Sequence, residues 1–211
     1  RLDGHLTIPE HARAIVVFAH GSGSSRHSPR NRYVASVLND AGLATLLFDL
    51  LTAEEEHDRA NVFDIDLLGD RLAEVTRLVH DETDIRELPV AFFGASTGAA
   101  AALRAATDSA LNVVAVVSRG GRPDLAGSSL AEVESPTLLI VGGNDRVVLG
   151  LNEEARARIR CESRLAVVPD ATHLFEEPGT LRAAAELARD WFLTHIGPDS
   201  DSSASGMSGE I

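Results

Sequence analysis

Three residue types at separate points of the chain could together carry out acyl transfer. They are a serine in Gly94-Ala95-Ser96-Thr97-Gly98, an aspartate in Gly142-Gly143-Asn144-Asp145-Arg146 and a histidine in Pro169-Asp170-Ala171-Thr172-His173. A serine hydroxyl at its ordinary pKa is a weak nucleophile, so it needs a histidine to take its proton and an acid to orient the imidazole. The Gly-x-Ser-x-Gly pattern presents such a serine when a strand ends and a helix begins around it. The sharp turn exposes the hydroxyl, small neighbours tolerate the crowding, and the helix start adds free amide donors and a positive dipole end. Here the apolar residues 90–93 precede the pattern and an Ala-rich stretch, 99–106, follows it. A phosphate-binding loop is excluded, because no Gly-Lys-Ser or Gly-Lys-Thr follows.

Other residues compete for the supporting roles. His80 and His195 lie in helical segments, His57 in an acidic loop, and His5 and His11 near the start, while His20 and His27 precede the serine. His173 follows an apolar run and is the expected base. For the acid, Asp145 follows residues 137–141, and Asp49, after residues 44–48, is its rival; Asp170 is a turn residue too near His173. A tetrahedral oxyanion needs two backbone donors, one from the residue after the nucleophile and one from an earlier strand-end loop. Thr97 supplies the first. The second is expected from Ser22 in His20-Gly21-Ser22-Gly23, with Gly23 as the alternative, since glycines there let the chain double back over Ser96.

These loops need elements to hold them. Short apolar runs bounded by turn residues, 14–19, 44–48, 89–93, 113–117, 137–141 and 165–168, read as buried strands. Segments with helical spacing, 31–41, 65–80, 97–107, 149–159 and 180–196, alternate with them. Continuously apolar strands joined through helices predict an α/β fold, an open, mostly parallel sheet covered on both faces. Ser96, Asp145 and His173 would then share the carboxyl edge of that sheet, where ligands of such folds bind. The domain is expected over residues 1–196. Residues 197–211 shift to Ser, Gly and Asp with almost nothing to bury and read as a disordered tail.

Composition removes whole classes of function. The 211 residues carry 19 basic and 32 acidic side chains, a net charge of −13 that repels a phosphate backbone, so nucleic acid is not an expected partner. Residues 52–84 concentrate the excess, with eleven acids against three arginines; a solvated helix face is the expectation, a partner-binding face the alternative. The longest apolar runs fall far short of a bilayer span and no signal-like segment opens the chain, so neither membrane nor secretion is expected and a cytoplasmic setting is. Cys161 alone forms no internal disulfide, and no metal motif such as His-Glu-x-x-His occurs, so cofactor-free and metal-free chemistry is expected. The first residue is Arg1, so something could precede it.

Taken together, Phe18-Ala19-His20-Gly21-Ser22-Gly23, the Ser96 pentapeptide, Val141-Gly142-Gly143-Asn144-Asp145 and Ala171-Thr172-His173-Leu174-Phe175 make residues 15–196 resemble the α/β-hydrolase superfamily. The order Ser, Asp, His agrees with it. Within it the chain is similar to the small, lidless dienelactone-hydrolase-like branch, and most to hydrolase domains found alone or fused behind a phosphoribosyltransferase domain. The resemblance implies a serine hydrolase acting on a small-molecule ester or related acyl substrate, with a fused or associated phosphoribosyltransferase domain as the partner. One departure stands out. Dienelactone hydrolases proper use a cysteine nucleophile, whereas Ser96 occupies the turn here and Cys161 lies at a helix end, which puts dienelactone itself in doubt as substrate. A non-catalytic scaffold and an acyltransferase using the same triad remain the rival readings.

Two further expectations come from loops. About seventeen residues separate Ser118 from Pro136, too few for a large cap domain, so the site should be open and favour short acyl groups. Arg119 and Arg122, in Ser118-Arg119-Gly120-Gly121-Arg122-Pro123, open on the same edge as Ser96 and could clamp a substrate carboxylate or phosphate; pairing with a nearby Asp or capping a helix is the alternative.

Overall fold

The apolar runs become neighbours in one sheet because each is flanked by a helix that returns the chain to the same edge. In the computed structural model, which describes residues 2–82 and 85–197, seven strands stand in the order β1-β3-β2-β4-β5-β6-β7. They are β1 (Gly4–Thr7), β2 (Ile15–Ala19), β3 (Ala44–Phe48), β4 (Val90–Ala95), β5 (Val113–Arg119), β6 (Thr137–Gly142) and β7 (Ser163–Val168). Strands β2 to β7 pair in parallel. The expected open, mostly parallel sheet is therefore present, with one addition. Strand β1 pairs antiparallel with β3, Gly4 opposite Phe48. Its four residues are all exposed, so it has no apolar run by which to be recognised. The expected tail lies outside the described residues, apart from Gly197.

Side chains alternate across the sheet and feed two cores. Ile15, Val17 and Ala19 pack with α3 (Ile65–Glu82), α4 (Thr97–Ala105) and α5 (Arg146–Arg156); Val16 and Phe18 pack with α1 (Pro29–Asp40) and α6 (Thr180–His195). Both faces are thus buried, which is why the strands read as apolar throughout rather than alternating. Helix α4 is the most deeply placed. Ala99 to Ala102 are fully buried, and their small side chains let the helix lie close on the sheet that ends at Ser96. Helix α2 (Arg59–Phe63) is a single short turn before α3.

Helix starts set two loops at the carboxyl edge of the sheet. Ser28 Oγ accepts from the Asn31 amide and Pro29 occupies the first turn, so α1 begins two residues before its apolar spacing does. Asp145 Oδ1 likewise accepts from the Val148 amide at 3.4 Å, starting α5 at Arg146. The acidic segment is partly neutralised from within. Arg71 holds both carboxylate oxygens of Glu55, at 2.9 and 3.0 Å, and Arg104 of α4 reaches Asp66 and Asp70, each at 3.1 Å.

Strand β5 runs two residues past its apolar run. The alternation of the sheet continues through them, so Ser118 faces α4 while Arg119 faces α1 and reaches Asn31.

Candidate active site

Ser96 sits between β4 and α4 with φ 51° and ψ −123°, a conformation that L side chains rarely adopt. Packing holds it there. A Cβ on Gly98 would stand 2.2 Å from the Ala19 carbonyl oxygen, and one on Gly21 would stand 2.8 Å from the Ser96 Cβ. The turn and the loop after β2 therefore approach as closely as they do only because both positions lack side chains. The backbone is also tied to β5, with the Ser96 amide donating to the Arg119 carbonyl at 3.3 Å and the Arg122 amide to the Ser96 carbonyl at 3.0 Å.

The loops after β6 and β7 are interlocked. The Asn144 amide donates to the Ala171 carbonyl at 2.9 Å, Asn144 Nδ2 to the Asp170 carbonyl at 2.9 Å, and the Gly143 amide to the Val168 carbonyl at 2.9 Å. Glu177 adds a clasp by accepting from the Thr172 amide and hydroxyl, bonds that hold its carboxyl below the usual range. The result brings two sequence-distant side chains together. His173 Nδ1–H donates to Asp145 Oδ2 at 2.7 Å, which assigns the ring proton to Nδ1 and leaves Nε2 for other work. Asp145 is mostly buried while His173 is 40% exposed, as an acid that orients and a base that must reach substrate should be. Ser96 and His173 line one cleft of about 300 Å³ together with Gly21, Ser22 and Arg119. No hydrogen bond joins Ser96 Oγ to His173 in this arrangement, and such bonds commonly tighten only with substrate in place.

The rival acid is engaged elsewhere. Asp49 pairs with the guanidinium and amide of Arg26, fixing the loop that follows β2. His20 is buried, its Nε2 accepting from the Leu50 amide at 3.0 Å, a tie between the ends of β2 and β3. Cys161 precedes β7 and so belongs to the opposite, amino edge of the sheet; burial raises its thiol pKa, and it donates to the Ser135 carbonyl.

Of the expected oxyanion donors, Thr97 is the first residue of α4, so its amide has no acceptor within the helix. The Ser22 amide is not free. It donates to Thr97 Oγ1 at 2.9 Å, which binds the loop over the turn. The two arginines of the next loop part company. Arg122 closes on Asp124 through Nε and Nη2, each at 2.8 Å, and does not line the cleft. Arg119 does line it, with Arg30 and Asn31 beside it, two residues that carried no recognisable signal in the sequence. A smaller, more apolar hollow of about 140 Å³ lies on the other side of the Ser22 loop, walled by Leu50, Leu51, Val62 and Leu68. Among the described residues, no three His, Cys, Asp or Glu side chains are grouped to hold a metal, and no helix is long and apolar enough to cross a membrane.

Residues 12–188 match the family described as "Alpha/beta hydrolase domain". The chain belongs to the α/β-hydrolase family. The structure of a dienelactone hydrolase from Anabaena variabilis is similar to this α/β-hydrolase at 56% identity over 93% of each chain, with a TM-score of 0.89. Est1E from Butyrivibrio proteoclasticus shares the fold at 16% identity and a TM-score of 0.77, over 92% of this chain and 94% of its own. Two Mycobacterium tuberculosis proteins, from strains H37Rv and CDC 1551, are 67% identical over 193 residues and bear the provisional name phosphoribosyl transferase. The match covers 92% of this α/β-hydrolase but 44% of each of them, so the chain spans less than half the length of these curated relatives.

Proposed function

We propose that the chain is a serine hydrolase that cleaves an ester or related acyl substrate through an acyl-enzyme. The observation that carries this reading is the strained Ser96 sharing one cleft with His173, whose Nδ1–H is 2.7 Å from Asp145. In the proposed reaction Ser96 Oγ attacks the carbonyl carbon and His173 Nε2 takes its proton. The tetrahedral oxyanion is held by the Thr97 amide and by the Ser22 amide, which turns from the Thr97 hydroxyl or is shared with it. His173 then gives the proton to the leaving oxygen, and water attacks the acyl-enzyme by the same steps reversed. Asp145 keeps the imidazole in the tautomer that both steps need. No step calls for a cofactor or metal.

The cleft has little apolar wall of its own, so small acyl groups are the expected substrates. An acyltransferase would share the first half-reaction and differ only in the acceptor. The provisional name of the longer relatives suggests a phosphoribosyltransferase portion outside the length matched here, joined to or associated with this domain. The test is labelling of the folded protein with a fluorophosphonate, followed by mass mapping. Modification of Ser96 in the wild type, and its loss in His173→Ala, is expected; an unlabelled Ser96 in folded protein overturns the reading in favour of a non-catalytic scaffold.

A further inference from the structure

Among the described residues, Arg119 is the least explained polar group. Its residue exposure is 7%, yet Nε and Nη1 have no hydrogen-bond partner, and Nη2 has only Asn31 Oδ1 at a long 3.3 Å. The rings of Phe93 and Phe175 lie 5.9 Å from the guanidinium carbon and favour a cation over their faces, but stacking leaves the in-plane N–H donors unmet. A buried charged donor without an acceptor is costly, and native structures retain one where something else completes it. Burial, and then the neighbouring Arg30, pull the Arg119 pKa down to about 10, so it stays charged at neutral pH with no carboxylate beside it.

The surroundings add positive potential. Arg30 lines the same cleft and stands in the first turn of α1. Glu176 touches Arg30 at 3.8 Å and is itself 65% exposed, leaving the cleft side of the cluster basic. All of this adjoins Ser96, whose amide bonds the Arg119 carbonyl.

We propose that Arg119, supported by Arg30 and Asn31, is an oxyanion-recognition site that selects acyl substrates carrying a carboxylate or phosphate. The inference rests on the serine-hydrolase reading for its substrate, but the anion site itself does not depend on catalysis. A guanidinium inside a cleft binds such groups through paired charge-assisted hydrogen bonds. The hollow beyond the Ser22 loop, walled by Leu50, Leu51, Val62 and Leu68, offers room for an apolar portion of the same molecule.

Two measurements test this. First, calorimetric titration of folded Ser96→Ala protein with inorganic phosphate, and separately with glutarate, is expected to show one site that is lost in Ser96→Ala/Arg119→Leu and weakened in Ser96→Ala/Arg30→Ala. The arm that binds tells carboxylate from phosphate. Second, the active enzyme is assayed with p-nitrophenyl hydrogen succinate and with neutral p-nitrophenyl pentanoate at fixed salt. The anionic ester should be favoured in kcat/KM by roughly 10- to 100-fold, and Arg119→Lys should erase most of that preference, read as the ratio of the two esters in each variant. Binding without turnover of either ester would keep the anion site and sink the hydrolase reading. Failure of both anions to bind, or an ester preference that survives Arg119→Lys, overturns the anion site and leaves a structural cation packed between two phenyl rings.

Discussion

Two neighbouring turns at the carboxyl edge of the sheet, the one after β4 and the one after β5, are hydrogen-bonded to each other yet differ in the side-chain polarity they leave unpaired. The β4 turn is fixed by steric closeness: Gly98 and Gly21 admit backbone where any Cβ would collide, and Ser96 is forced to φ 51°. The β5 turn is just as close, a Cβ on Gly121 standing 2.0 Å from Ser118 Oγ, but it leaves side-chain polarity unspent, with Ser118 Oγ and Arg119 Nε and Nη1 all buried without partners. On the proposed reading the first turn sets where Ser96 Oγ stands and the second presents Arg119 to substrate.

The comparison breaks most sharply at the nucleophile. Ser96→Ala and His173→Ala should each lower ester turnover by about four to six orders of magnitude with folding intact. Ser96→Gly should be equally inactive and more stable, raising Tm by roughly 2–4 °C, because glycine accepts the backbone that serine is strained to adopt. A stability loss in Ser96→Gly, measured by thermal unfolding, would show that the turn is not strained.

The acid comes next. Asp145→Asn should cost about two to four orders in turnover, less than loss of the base, because it removes the orienting charge and leaves the ring in place. Asp49→Asn should stay within about threefold of wild type in turnover, since its carboxylate serves Arg26. A larger loss in Asp49→Asn, with both variants folded by circular dichroism, reverses the assignment.

Steric fixation is tested by glycine. Gly98→Ala should destabilise by about 3 kcal/mol or more, since the new Cβ meets two carbonyl oxygens of β2 and its loop. Gly150→Ala in α5, where nothing lies within 4 Å, should stabilise by about 0.5–1 kcal/mol. Urea unfolding of the pair measures both; equal effects would refute packing as the lock.

The smallest effect concerns charge away from this edge. Hydrogen bonds from Arg71 first, then from Thr52, hold Glu55 down at about 2. A carboxyl depressed in the fold contributes stability that is present above its unfolded pKa, near 4.5, and fades as pH falls toward 2. Glu55 is about a third exposed, so solvent screens much of this. Glu55→Gln should lower Tm by no more than about 2 °C at pH 7, with the gap closing between pH 4.5 and 2.

The parallel strands and the five longer helices could be read in the sequence because burial on both faces writes itself as uninterrupted Val, Ile, Leu and Ala. Strand β1 could not, since Gly4–Thr7 buries nothing and is defined only by its partner, Phe48 and its neighbours. That Ser96, Asp145 and His173 lie on one edge was legible because each follows a parallel strand. Chain order favoured Asp145 over Asp49; what the residues did not show is the Asn144–Ala171 interlock, which brings Asp145 to His173. The difference between Arg119 and Arg122 was equally hidden. It turns on β5 continuing to Arg119, so that pleat parity sends one guanidinium beneath α1 while the other meets Asp124.

That same interlock makes the proposed triad depend on the last two strands of the chain. Strand β4, with the strained serine at its end, is enclosed between β2 and β5 by residues that precede β6. The amides of Gly143 and Asn144 find their acceptors only in Val168 and Ala171, at the end of the last strand. On the proposed assignment Asp145 therefore has an imidazole to orient only where β7 lies against β6.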